Sequence, residues 1–317
     1  MTISLPRSLA ELYVADFRTQ LPGVRDGDAE CIHQARVATR RLREVLPLLI
    51  PEDDPMLAIV RTAGRTLGRV RDLDVIAETI ARAEARMAVL GLVVARQRIA
   101  KTQQRARRKM IKRLEALELD ELPAAVAGTA FVRLRERFAD GVWKERLRDR
   151  IARRADALQH AIHSAGGVYF PKRVHRVRIA TKKLRYAAEV AHETRLWRRE
   201  EMLHDLRRMQ TSLGDLHDLQ VVVDLLSDMK TDAAPDAGVR DVRSALRAEI
   251  AELHRHYVAR RDRLQDAAAV CRRFAARRRL RARHLGWPAS HVRPLVIASA
   301  VLVPAALTLK QLSARKA

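Results

Sequence analysis

The chain has 317 residues, with 62 Lys and Arg against 38 Asp and Glu, a formal net charge of +24 and a pI near 11.2. Solubility requires far less charge, so we expect a polyanionic partner: nucleic acid, an anionic membrane surface or an inorganic polyanion. Aromatic residues make up only 4% of the chain, which leaves few of the stacking platforms that single-stranded nucleic-acid binders use. Zinc-finger, RNP and homeodomain patterns are also missing from the sequence.

Two features indicate the cellular compartment. Cys31 and Cys271 are far apart and have no C-x-x-C spacing, which favours free thiols in a reducing cytoplasm over a disulfide scaffold. The N-terminal residues contain no apolar run long enough for a secretory signal, so export is not expected.

Apolar residues recur every three to four positions through long stretches rich in Ala, Leu, Arg and Glu, which predicts an all-α chain. Breaks are predicted where Pro or Gly interrupts this pattern, at Pro22-Gly23, Pro51 with Pro55, Gly91, Pro123, Gly166-Gly167, the turn after His192 and the loop 232–238. The predicted helices are 5–21, 29–50, 55–89, 92–120, a connecting helix at 124–141, and then 142–164, 172–193, 196–230 and 239–284. Four helices per half indicate two antiparallel four-helix bundles packed against each other.

Two motifs occur twice in the same order. HQARVATRRLR begins at His33 and returns as HRVRIATKKLR at His175, an offset of 142 residues (175 − 33). LGRVRDLDV at 67–75 returns as LGDLHDLQV at 213–221, an offset of 146 (213 − 67). Collinear repeats of this kind indicate an internal duplication, and one longer loop accounts for the difference of four residues. We therefore divide the chain into a first repeat (1–128), a second repeat (129–286) and a C-terminal apolar segment (287–317).

The repeated motifs place basic residues on one face of a helix. At about 100° per residue, His33, Arg36, Arg40 and Arg43 share a face opposite apolar residues. The second copy repeats the arrangement at His175, Arg178, Lys182 and Arg185. Tyr186 and Glu189 join this polar face and are expected to have a structural or orienting role.

The following helices carry a matching face. Arg61, Gly68 and Asp72 lie on one side of the first, and the corresponding face of the second holds Arg207, Gly214 and Asp218. Glycine would let another helix or a ligand approach closely, and each Asp is expected to orient neighbouring Arg side chains. Two further basic blocks, 96–113 and the looser 240–263, are expected to place some side chains at the groove and others in water.

Two cationic stripes at matching positions repel each other unless an anion lies between them. Arg can bond two phosphate oxygens at once and Lys offers a compact charge. His33 and His175, if close to phosphate, would tend to hold a proton, so that binding strengthens on mild acidification. The alternative for both histidines is a structural hydrogen bond inside the bundle.

The four motifs resemble the CHAD family, a histidine-containing all-α domain, over about residues 5–284. The resemblance implies two four-helix bundles related by a pseudo-twofold axis around a basic cavity, and binding of inorganic polyphosphate at polyphosphate granules. The family's basic and histidine positions fall on His33, Arg36, Arg40, Arg41, Arg43, His175, Arg178, Lys182, Lys183 and Arg185; with Arg61 and Arg207 they form our candidate site. The first repeat departs from the second, because Glu44 and Pro47 stand where the second has Tyr186 and Glu189, so the halves need not bind equally.

Catalysis is not expected. The Glu-x-Glu-x-Lys signature of CYTH-type triphosphatases, a P-loop, an assignable Ser-His-Asp arrangement and paired carboxylates in a metal-ligand context are not found. His160 and His163 stand three residues apart but have no clustered Cys or carboxylate to complete a metal site, and no cofactor is expected. Nucleic-acid binding, anionic-membrane binding and an accessory role beside a triphosphatase remain as alternatives.

The C-terminal segment raises a separate question. Residues 295–309 carry no charge, but as a helix they would span only about 22 Å, less than a bilayer core of roughly 30 Å, and Pro304 interrupts them. A packed or interfacial helix is therefore preferred, and a membrane anchor stays open. The sequence does not determine the oligomeric state.

Overall fold

In the computed structural model, the described residues are 5–87, 89–117, 142–228 and 237–284, together with single positions 119, 122 and 124. They are all-α, without strands. The helices of this described part are α1 (Leu5–Asp26), α2 (Ala29–Leu49), α3 (Pro55–Arg86), α4 (Leu90–Glu115), α5 (Val142–Ala165), α6 (Pro171–Glu193), α7 (Glu200–Asp228) and α8 (Ala237–His284). The connecting helix predicted from residue 124 onward and the apolar stretch 295–309 fall outside this description.

Side-chain caps mark the starts of α2 and α3. Asp28 caps α2 by accepting a hydrogen bond from the Cys31 backbone N–H at 2.7 Å. Asp54 caps α3 in the same way through Met56 N–H at 2.8 Å, and Pro55 occupies the first turn, where a missing N–H costs nothing. These caps fix the starts of the two helices that carry the first copies of the repeated motifs.

The predicted break at Pro22-Gly23 is wrong, because α1 continues through Pro22 to Asp26. Gly23 instead serves packing: a Cβ there would lie 2.3 Å from Cys31 Sγ. The helix ends at Gly27, which has φ +79°, and the Asp28 N–H donates to the Gly23 carbonyl at 2.9 Å. This left-handed glycine with a six-to-one hydrogen bond is a common way to end a helix.

Short connections make successive helices antiparallel neighbours. In the first half α1 packs on α2, α2 on α3 and α3 on α4; in the second half α5 packs on α6 and α6 on α7. Helix α8 joins the second half through contacts such as that between the sulfur atoms of Cys271 and Met202, 3.7 Å apart. Continuous buried apolar faces on these helices form one core, so the two halves belong to one compact unit that extends to Arg277.

The halves meet through their equivalent helices, with α2 against α6 and α3 against α7. A charged cluster reinforces this contact: Glu44 on α2 is buried and accepts hydrogen bonds from Arg150 (3.1 Å) and Arg154 (3.0 Å) on α5. The same two arginines also donate to the backbone carbonyls of Arg43 and Lys183. Glu44 therefore ties helix α5 of the second half to helix α2 of the first.

Three earlier expectations can be placed on this fold. Both cysteines are unpaired thiols, with Cys271 buried. His160 and His163 are exposed on α5, and within the described ranges no three potential ligands come together to hold a metal. Of the helices described, none combines the length and apolar character needed to span a bilayer.

Candidate functional site

A cavity of about 410 Å³ opens between α2, α3 and α6, where the two halves meet. Seven cationic side chains line it, against two carboxylates. Its lining residues are Arg36, Arg40, Arg43, Glu44, Gly64, Arg65, Gly68, Arg69, Asp72, Ile179, Lys182, Lys183 and Tyr186. We call this cavity the central groove; both halves of the chain supply its cations, as the duplicated motifs predicted.

The first wall of the central groove is built around Arg36. Its guanidinium donates to Asp72 at 3.0 Å, and the Arg36 side chain is only 15% exposed. A Cβ at Gly68 would lie 1.9 Å from Arg36 Nη1, so the missing side chain is what lets the guanidinium lie flat on α3. The expected roles of Gly68 in close approach and of Asp72 in orienting an arginine are thus both seen in the first half.

The second half does not repeat this packing. A Cβ at Gly214 would meet no atom within 4 Å, so no protein side chain packs on Gly214 as Arg36 packs on Gly68, and the approach of a ligand there stays a prediction. Arg178, the counterpart of Arg36, is half-buried, and its pKa is influenced by Asp218 and also by Asp72 of the other half.

A cross-half contact joins the two walls. Arg40 on α2 donates to the Tyr186 hydroxyl on α6 at 3.4 Å, and the Arg185 guanidinium lies 4.2 Å from the Tyr186 ring centre. Tyr186 therefore positions one arginine from each half, which agrees with the orienting role expected of it.

Lys182, the counterpart of Arg40, is the most perturbed cation of the groove. Burial, followed by repulsion from Arg40, Arg178 and Arg36, lowers the Lys182 pKa to about 7. Burial and Arg40 likewise lower the pKa of Arg36 to about 10. Cations that destabilise one another in this way leave the empty groove with strong positive potential, which a bound anion would relieve.

Two histidines, His175 and His217, and the carboxylate of Asp218 lie near Arg178. The rings of His175 and His217 are 4.5 Å apart, with their Nδ1 atoms at 3.4 Å. Burial and then Arg178 lower both histidine pKa values, that of His217 to about 4. Burial also raises the Asp218 pKa to about 6, against the effect of Arg178. Burial therefore favours the neutral form of both histidines, and His175 makes a ring contact with His217 instead of lining the groove.

Six other predicted residues are also outside the groove lining: His33, Arg41, Arg61, Arg178, Arg185 and Arg207. His33 is half-buried, and burial together with Arg71 lowers its pKa. Arg41 places its guanidinium over the Tyr13 ring at 5.3 Å, while Lys183, at the equivalent position in the second repeat, lines the groove. The repeat thus placed corresponding residues in different surroundings.

Glu189 on α6 neutralises two arginines of the second half. Its carboxylate accepts from Arg185 at 2.6 Å and from Arg207 at 3.0 Å, and only 11% of its side chain is exposed. Pro47 occupies the equivalent position in the first repeat and cannot neutralise Arg43 or Arg61. Burial and then repulsion from Arg61 lower the Arg43 pKa, against the opposing effect of Glu44.

Sequence reasoning missed Arg65 and Arg69, two exposed cations on the groove face of α3. The signal was a row spaced by four residues, Arg61, Arg65 and Arg69, which places all three on one helix face. A search for residues shared by the repeats overlooks them, because Thr211 and Asp215 stand at the equivalent positions (65 + 146 and 69 + 146).

The model of the CHAD domain family matches residues 8–227 of this chain. The chain belongs to the CHAD family. Among solved structures, that of the CHAD domain from the plant Ricinus communis superposes with a TM-score of 0.62 at 24% identity, covering 84% of this chain and 90% of its own. PptA from Streptomyces chartreusis superposes with a TM-score of 0.52 at 16% identity, covering 86% of this chain and 98% of its own. Both show the same fold; no curated protein sequence gives a significant match.

Proposed function

We propose that this CHAD protein binds inorganic polyphosphate in the central groove, without catalysing a reaction on it. The observation that carries the proposal is the excess of seven cationic side chains over two carboxylates in one cavity. Both carboxylates are already engaged, Asp72 by Arg36 and Glu44 by Arg150 and Arg154. A multivalent anion would therefore find several unneutralised cations within one cavity.

The chemistry of the groove supports binding rather than turnover. Arg forks and Lys182 can contact phosphate oxygens, but its two carboxylates accept hydrogen bonds from arginines and are not placed as a metal pair or a general base. A linear phosphate polymer also suits a groove with no aromatic platform other than Tyr186, whose ring packs on Arg185. We extend the proposal to a cytoplasmic protein associated with polyphosphate granules, as the family resemblance implies.

Charge reversal tests the assignment. Three groove cations and Arg178, which repels the groove residue Lys182, are changed together by Arg36→Glu, Arg40→Glu, Arg178→Glu and Lys182→Glu. Four exposed cations of α8 serve as the matched control, Arg240→Glu, Arg247→Glu, Arg255→Glu and Arg263→Glu. Both variants change the net charge equally, but we expect only the groove variant to lose polyphosphate binding by at least about 100-fold, at unchanged helicity. Equal losses would sink the groove assignment in favour of diffuse surface attraction.

Competition separates polyphosphate from nucleic acid. Labelled long-chain polyphosphate is bound at physiological salt, then titrated with unlabelled polyphosphate, duplex DNA and single-stranded RNA at equal phosphate concentration. We expect polyphosphate to displace the label at a concentration at least about tenfold lower than either nucleic acid. Displacement at equal concentrations would support nucleic-acid binding instead.

A further inference from the structure

Helix α4 carries a continuous cationic stripe on the side away from the core. Its members follow a spacing of three and four residues and are all exposed: Arg98, Lys101, Arg105, Arg108 and Lys112. At about 100° per residue they fall within an arc of about 80°, and they span roughly 21 Å along the helix. The opposite face of α4 is buried, through residues such as Ile99 and Met110.

Charge on α4 is divided between two faces. Toward the fold, Arg107 and Gln103 bind the buried carboxylate of Asp74 at 3.1 Å and 2.8 Å. At the start of the helix, Arg96 pairs with Glu84 at 3.0 Å. Among the described residues, α4 makes two ion pairs, Arg107 with Asp74 and Arg96 with Glu84. The five stripe cations therefore have no carboxylate partner there.

Folding alone does not require such a stripe. Like charges spaced three or four residues apart destabilise a helix, and α4 has nine Lys and Arg but one carboxylate, Glu115 at its last position. Helix α8 holds the equivalent fourth place in the second half, and it interleaves acids with its cations. Arg255 and His256 both pair with Glu252 there, and Glu249 pairs with Arg86.

We infer that the α4 stripe is a second binding face for polyphosphate, so that one molecule holds two segments of polymer. The inference rests on the proposed function. The stripe is a straight row of cations, which suits a linear polyanion lying along the helix. Between Arg98 and Lys112 the large apolar side chains Ile99 and Met110 are buried and Ile111 is partly buried, so the stripe has no exposed large apolar side chain for insertion into a membrane. Helix α4 also has no aromatic residue on which a base could stack.

A bridging assay tests this second face. Polyphosphate is immobilised on a surface, full-length protein is added, and capture of fluorescent polyphosphate from solution is measured; capture requires two sites on the bound protein. The stripe variant carries Arg98→Gln, Lys101→Gln, Arg105→Gln and Arg108→Gln. The matched control removes four exposed cations of α8 by Arg240→Gln, Arg247→Gln, Arg255→Gln and Arg263→Gln.

We expect the stripe variant to capture about tenfold less fluorescent polymer than the α8 control. Its binding to the immobilised polymer should stay within about twofold of that control, because the central groove is intact. Equal capture by the two variants overturns the inference. So does a stripe variant that loses DNA binding while bridging polyphosphate normally, which would assign the stripe to nucleic acid. Failure of the wild-type protein to bind the immobilised polymer is a separate result that removes the proposed function itself.

Discussion

The two halves of the molecule share a scaffold but differ in charge where they line the central groove. Arg36 and Arg178, Asp72 and Asp218, and the two motif helices correspond one to one. On the next helix, however, Thr211 and Asp215 of the second half stand at the positions that Arg65 and Arg69 occupy in the first. Glu189 neutralises Arg185 and Arg207, whereas Pro47 leaves Arg43 and Arg61 without that partner. Duplication thus produced a symmetric frame, and later divergence concentrated the available positive charge on the first half.

Carboxylates explain how the halves diverged. Glu44 is buried between arginines of α5 and joins the halves, while the equivalent Tyr186 contacts Arg40 across the groove. In the second half the buried carboxylate stands one turn later, at Glu189, and pairs with Arg207 and with Arg185, which packs on the groove residue Tyr186. A shift of about one helical turn in the position of the acid therefore changes its role. Glu44 joins the two halves, whereas Glu189 neutralises arginines of the second half.

The largest expected effect is a loss of stability when Glu44, the acid that joins the two halves, is replaced. Glu44→Gln leaves Arg154, whose pKa burial already lowers, without its charged partner, and breaking a buried pair costs about 3–5 kcal/mol. Tyr186→Phe at the equivalent position removes only one long hydrogen bond and should cost no more than about 1 kcal/mol. Urea denaturation monitored by circular dichroism measures both, and equal losses would show that Glu44 has no special role in joining the halves.

The second effect is on affinity. Arg65→Thr combined with Arg69→Asp gives the first half the residues of the second and should weaken polyphosphate binding by about 100-fold. The slope of log Kd against log salt should fall by about 1.4, from two lost contacts at roughly 0.7 each. Fluorescence anisotropy over a salt series measures both quantities.

The reverse exchange is the control for this charge difference. Thr211→Arg with Asp215→Arg gives the second half the cations of the first, at two exposed positions. We expect tighter binding, because positive charge is then added to α7, which packs against the groove helix α3. If both exchanges leave affinity unchanged, the charge difference between the halves does not govern binding.

A smaller effect on affinity is expected when the negative charge of Glu189 is removed. Glu189→Gln removes the charge that neutralises Arg185 and Arg207, and should tighten polyphosphate binding by about fivefold to tenfold. Glu193→Gln is the matched control, since it removes the same charge one turn further along α6, where Glu193 accepts a hydrogen bond from Tyr13. Isothermal titration calorimetry compares the two; tightening by the Glu193 variant as well would point to overall charge alone.

The sequence predicted the shared frame better than the differences built on it. Apolar periodicity and the repeated motifs identified the helices and brought Arg36, Arg40 and Lys182 to one cavity, because both depend on local spacing. The partner of Glu44 lies more than a hundred residues away on α5, and no local pattern encodes that contact. Arg65 and Arg69 were missed because matching identical residues between repeats hides the positions at which the repeats diverge.

The smallest effect separates the halves by their response to pH. Lys182, the counterpart of Arg40, has a pKa of about 7. A bound phosphate stabilises the charged ammonium and raises this pKa, so above about pH 7 the complex holds more protons than the free protein.

Affinity should therefore fall as pH rises, by about fivefold between roughly pH 7 and 8. Lys182→Arg places the residue of the first half in the second and should remove most of this dependence, since a guanidinium does not titrate in this range. The number of protons taken up, obtained from calorimetry in buffers of different ionisation enthalpy, measures the effect directly. An unchanged proton count in the Lys182→Arg variant would assign the pH response to His175, His217 or Asp218. The difference between Arg40 and Lys182 would then have no role in that response.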